Sequence, residues 1–155
     1  MSDQDLVRLV MQEVGPRDDE ILEVLQTGDQ SWAARFADVD IELELEPETR
    51  RLMLSAEIGA PPEDKRASIY ETLLLYNLLG SDTGGVHMAL SEPGGALVQM
   101  VDLHCSALTT ELLVTVLHNL NERTLIWREF FMGDVEQAGE TAPPPPPFEH
   151  PMIQV

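Results

Sequence analysis

The sequence predicts a small α+β protein, a twisted antiparallel sheet packed on helices, and three observations carry that prediction. Between Ser31 and Ile58 apolar and polar residues alternate with period two, in Trp32-Ala34-Phe36, Ile41-Leu43-Leu45 and Leu52-Leu54-Ala56-Ile58, as half-buried strands do. Runs at helical spacing flank this region, Leu6 to Val14 before it and Leu113 to Phe131 after it. Between them, Glu63 to Leu103 reads as an almost wholly apolar helix followed by turn, strand, turn and strand. A chain of 155 residues is long enough for one domain with a core of its own.

Ser2 or Asp3 caps a first helix carrying Leu6, Val7, Leu9, Val10 and Val14, and Gly15-Pro16 stops it. Asp18 to Gln26 places Ile21, Leu22 and Leu25 behind an acidic first turn and is expected to add a helical turn or two before Gly28. The alternating segments then form a three-stranded meander with a turn at Pro47-Glu48-Thr49, closed by Gly59-Ala60-Pro61-Pro62. In the helix from Ser68 to Leu79, Ile69, Leu73, Tyr76 and Gly80 share one face, while Tyr70, Leu74, Asn77 and Leu78 share a neighbouring one. Leu75 and Leu79 fill much of the remainder, so there is little room for a wet side. One sheet covers one face, and the other is expected to meet a second copy through Tyr70, Leu74, Asn77, Leu78 and Met88.

Two further strands follow, over Val86 to Leu90 and Ala96 to Leu103. Thr109 then caps a long helix whose inward residues are Leu113, Leu117, Leu120, Thr124, Trp127 and Phe131, ending at Gly133. The predicted order over residues 1-133 is helix-β-β-β-helix-β-β-helix, homodimeric. Residues 134-155 carry no Lys or Arg and include the run Pro143 to Pro147, which predicts a disordered acidic tail.

Composition excludes several function classes. The formal charge of -19, with its few cations scattered, makes nucleic acid and anionic membranes poor partners. Cys105 is the sole cysteine, so no internal disulfide forms. No apolar run reaches the roughly 18 residues of a membrane span, and the acidic start MSDQD is unlike a secretory signal. A cytoplasmic protein without membrane insertion is expected. There is no phosphate-cradling glycine loop with Lys and no ligand cluster at metal spacing, so neither nucleotide nor metal is expected as a cofactor.

The ordered series Leu52-Met53-Leu54-Ser55-Ala56-Glu57-Ile58-Gly59, Leu73-Leu74-Leu75-Tyr76-Asn77-Leu78-Leu79, Thr83-Gly84-Gly85 with Met88-Ala89-Leu90, Leu97-Val98-Gln99 and the late Trp127-Arg128 resembles the class I type III secretion chaperones, the Tir chaperone-like family. The resemblance covers roughly Trp32 to Phe131. It implies a bacterial homodimer that binds the unfolded N-terminal segment of one or more secreted effectors, keeps it extended and delivers it to the secretion apparatus. It also implies the secretion ATPase as a further partner, with no ATP hydrolysis by the chain itself. On that reading, client side chains enter grooves beside the first helix and the following strands, at Leu6, Leu9, Val10, Trp32, Phe36, Ile41, Leu43 and Met53, with strand addition at a sheet edge.

Other motifs have competing readings. Asp82-Thr83-Gly84 matches the aspartic-protease triplet, in which two Asp share a proton across a dimer, but a helix rather than an apolar strand leads into it and ordinary turn chemistry accounts for it. His104 and Cys105, adjacent in a strand, point to opposite faces and cannot readily converge on one ion; Cys105 reads as a small buried residue. His118 reads as locally satisfied. Asn77 needs a partner, either backbone in the following turn or an amide at the dimer interface. Glu42, Glu44 and Glu46 are either a solvated outer sheet face or a platform for basic stretches of a client. The alternative to a chaperone is an acidic regulator that sequesters a basic partner.

Overall fold

The computed structural model describes residues 1–80 and 85–132. The Asp82-Thr83-Gly84 triplet and the tail expected over 134–155 lie outside the described residues. Helix α1 (Asp3–Arg17) leads into a four-stranded meander: β1 (Glu23–Gly28), β2 (Ser31–Arg35), β3 (Asp40–Glu46) and β4 (Arg51–Gly59). Helix α2 (Arg66–Leu78) then crosses to β5 (His87–Leu90) and β6 (Leu97–His104), and helix α3 (Thr110–Met132) closes the chain. The strands form one antiparallel sheet in the order β1-β2-β3-β4-β6-β5, so β6 slots between β4 and β5.

Of the stretch read as a second helix, Asp18 to Leu22 is turn and connection and Glu23 to Gln26 belongs to the edge strand β1, with Val24 opposite Ala34 and Leu25 opposite Ala33. Gly28 is its hairpin end rather than a helix stop, and pairing with β2 gives this backbone its hydrogen-bond partners. The meander therefore has four strands, and the expected order gains one. Helix α1 also runs past Gly15, with Pro16 inside its last turn. At its start Ser2 forms a capping box: its Oγ accepts from the Asp5 N–H at 3.1 Å, and the Asp5 carboxylate accepts from the Ser2 N–H at 3.4 Å.

The inward rows read from the sequence are all in the core. Trp32, Ala34 and Phe36, then Ile41, Leu43 and Leu45, then Leu52, Leu54, Ala56 and Ile58 are buried on the helix side of the sheet. They meet Val7, Val10, Met11 and Val14 of α1, Ile69, Leu73 and Tyr76 of α2, and the predicted stripe of α3 from Leu113 to Phe131. Trp127 sits at the junction of α2 and α3, edge-on to the Tyr76 ring at 5.2 Å. Two devices hold the ends of this core. Arg50, at positive φ in the β3–β4 turn, grips the Asp3 carboxylate at 2.8 and 2.9 Å. Arg128 of α3 donates to the backbone carbonyls of Asp38, Glu57 and Ile58, fastening the helix to the strand ends. Among the described residues no helix is long and apolar enough to cross a membrane.

Candidate functional site

Helix α2 is where apolar chemistry exceeds what one chain covers. Its buried face is Ile69, Leu73 and Tyr76, whereas Leu74 is 69% exposed, Leu75 60%, Leu78 82% and Leu79 44%. The helix lies beside the edge strand β5, and between them is an apolar hollow of about 170 Å³ lined by Tyr70, Leu73, Leu74, Asn77, Met88, Ala89, Leu90 and Leu97. Four of the five residues predicted to face a second copy, Tyr70, Leu74, Asn77 and Met88, are thus brought together, and Leu78 is exposed on the same helix. Met88 itself is buried within the chain.

Asn77 fixes the floor of this hollow. Its Nδ2 donates to the Met88 carbonyl at 3.0 Å, and its Oδ1 accepts from the Met88 N–H at 2.7 Å. The partner is the backbone of β5 rather than that of the turn after the helix. The amide therefore acts as one more strand residue, satisfying the outer edge of β5 where no strand follows.

A second surface lies along α1. A cleft of about 540 Å³ between the helix and the β1–β2 hairpin is walled by Arg8, Met11, Gln12, Ile21, Leu22, Val24 and Trp32 among others. Leu9 and Leu22 are exposed, at 46% and 67%, and Leu6 is half-buried. Of the expected client contacts, Leu6 and Leu9 have accessible side chains on α1, whereas Met53, though accessible, lies on the opposite face of the sheet, because successive strand residues alternate between faces. Val10, Trp32, Phe36, Ile41 and Leu43 are not accessible: they are 5% exposed or less and fill the core, because an alternating strand spends its apolar row on the helices packed against it. These five are core residues. Leu22, which the helical reading of its segment did not offer, is exposed and lines the cleft.

Cys105 is buried at the start of a short 3-10 turn, where burial pushes its thiol pKa up, and His104 accepts from the Ser106 N–H on the other side. His118 of α3 is held among acids: Nδ1 lies 3.4 Å from Asp18 and 3.1 Å from Glu20, and Nε2 lies 3.2 Å from Glu122. Asp18, Glu20 and His118 are the metal-capable group among the described residues, and their contacts bridge the α1–β1 connection to α3. They are far apart in sequence, which is why spacing did not reveal them.

The fold has known relatives. A chain of the ExsC-ExsE complex superposes with a TM-score of 0.63 at 20% identity, covering 86% of this chain and 99% of that one. A chain of the HopA1-SchA chaperone-effector complex gives 0.64 at 16% identity, covering 81% and 95%. At these identities the likeness is one of fold. No curated protein matches the chain. A family model, however, matches residues 30–128, from the β1–β2 turn to Arg128 in α3, and on that match the chain belongs to the Tir chaperone protein (CesT) family, a family of chaperones rather than enzymes.

Proposed function

We propose that the chain is a homodimeric type III secretion chaperone of the bacterial cytoplasm, which binds the unfolded N-terminal segment of one or more secreted effectors and presents it, still extended, to the secretion apparatus and its ATPase. The observation that carries this is the apolar surface left over on α2 and α1 in a chain of a chaperone family. Two surfaces divide the work. The hollow between α2 and β5, with exposed Leu74 and Leu78 around it, is the seat of the second copy. The α1 rim, with exposed Leu9 and half-buried Leu6 on the helix and Leu22 lining the cleft, receives client side chains, and the free edge of β1 receives a client strand. The SchA chain was solved as a chaperone with an effector, and the shared fold makes an effector the natural client here.

Binding by burial of apolar groups needs no nucleotide. The test is titration of the N-terminal segment of a secreted protein encoded beside this chain, followed by native mass spectrometry. A complex of one segment per dimer is expected without ATP. Leu9→Asp, on an exposed position, should weaken it by about 1.4 kcal/mol or more, a factor of ten, with the dimer mass unchanged. Unaltered affinity in a folded Leu9→Asp protein would exclude the α1 rim.

A further inference from the structure

The outer face of the sheet is left uncovered by the helices among the described residues. Strand register lines its side chains up in rows, one of which runs Leu25, Ala33, Glu42, Ser55, Met100, His87 across all six strands. A neighbouring row runs Ser31, Glu44, Met53, Asp102. On the other side stand Arg35 and Asp40, and then Glu57, Val98 and Ala89. None of these residues is buried. Met53, Met100 and Val98 make a half-buried apolar strip over β4 and β6, with Glu42 and Glu44 on its β3 flank. The two arginines on this face are already spent, Arg35 on Glu23 at 3.2 Å and Arg51 on Asp102 at 2.6 Å. Asp40, Glu42, Glu44 and Glu57 have no ion pair among the described residues, so the face is strongly negative around an apolar centre.

We infer that this face docks a basic amphipathic segment of a partner protein, its apolar side chains on the Met53, Met100 and Val98 strip and its Lys or Arg over the acids of β3. Charge complementarity selects this occupant. A second copy would bring the same acids against these and be repelled. Residues 134–155 carry Asp134, Glu136, Glu140 and Glu149 with no Lys or Arg, so the chain's own C-terminal segment is repelled too. Glu42 and Glu44 stand two residues apart, about 7 Å, which matches Lys or Arg at every second residue of an extended chain. The flexible thioethers of Met53 and Met100 suit apolar side chains of varied shape. Met53, Met100, Val98 and the acids of β3 line neither the α1 cleft nor the α2 hollow, so their docking role stands or falls independently of those surfaces.

A fluorescein-labelled peptide alternating Lys and Leu, with a Glu and Leu counterpart, tests it by fluorescence anisotropy against the full chain at low and moderate salt. The basic peptide is expected to bind and the acidic one not, with Glu42→Gln/Glu44→Gln and Met53→Ser/Met100→Ser each weakening binding at least about tenfold. A control pair off this face, Glu63→Gln/Glu71→Gln, is expected to change it less than about twofold. Equal losses in the two acidic pairs, or indifference to the methionines, would overturn the assignment. A photo-crosslinking version of the peptide gives an answer that depends on no substitution: cross-links should map to β3, β4 and β6, and cross-links confined to α1 or α2 would overturn it.

Discussion

Strand β3 and helix α2 are both built from leucines and their like, and they end in opposite conditions. In β3, Ile41, Leu43 and Leu45 are 3% exposed or less while Glu42, Glu44 and Glu46 stand in water, so every apolar side chain is covered within one chain. In α2, Ile69, Leu73 and Tyr76 do the same work, and Leu74, Leu75, Leu78 and Leu79 remain outside. A strand of period two has only an inside and an outside, and its pattern closes on itself. A helix apolar on several faces cannot be satisfied by one sheet, and we propose that its surplus is covered by a second copy.

Substitutions that separate these two conditions sharpen the comparison. The largest effect is expected in the closed region: Leu43→Ala removes a fully packed side chain and should cost about 2–5 kcal/mol in urea unfolding. Leu78→Asp, at 82% exposure, should leave the fold intact and abolish self-association, seen as a halved mass in light scattering with an unchanged circular dichroism spectrum. Asn77→Ala should cost about 1–3 kcal/mol, because it strands the Met88 N–H and carbonyl at the strand edge. Gln99 breaks the pattern from inside: it is fully buried in β6 with neither amide atom bonded among the described residues, and nothing in the structure explains it. Gln99→Met should therefore raise stability, by about 1 kcal/mol, in the same unfolding assay.

The smallest effect belongs to the clasp between α1 and the β3–β4 turn. Hydrogen bonding to Arg50 holds the Asp3 carboxyl below its usual value of 3.8. A carboxylate whose pKa is depressed by folding stabilises the fold above the unfolded value and loses that contribution as pH falls through the folded one. The slight advantage of the wild type over Asp3→Asn at neutral pH should thus decline as pH falls below 3.8 and vanish once it has passed the lowered folded value. A difference that persists in stronger acid would assign the stabilisation to packing instead.

The sheet was legible wherever the inner face alone was apolar, and the α3 stripe from Leu113 to Phe131 was legible because its spacing survives burial on one side. β1 was not. Ile21, Leu22 and Leu25 sit at helical spacing, and the hydrogen bonds that make the segment a strand come from β2, a partner no local pattern displays. That Tyr70, Leu74 and Asn77 line one hollow was legible because they share a helical face, and the α2–β5 contact brings Met88 beneath it. The client contacts fared worse, because apolar alternation marks a core residue and a groove residue identically. Only exposure separates Leu9 from Val10.

The central claim, that the surplus of α2 is covered by a second copy, is tested most directly by the mass of the full chain in solution. Size-exclusion chromatography with light scattering at micromolar concentration should give twice the 17.3 kDa of one chain, falling to that single value in Leu78→Asp. A wild-type protein that elutes at 17.3 kDa, folded and with Leu74 and Leu78 in water, would contradict it.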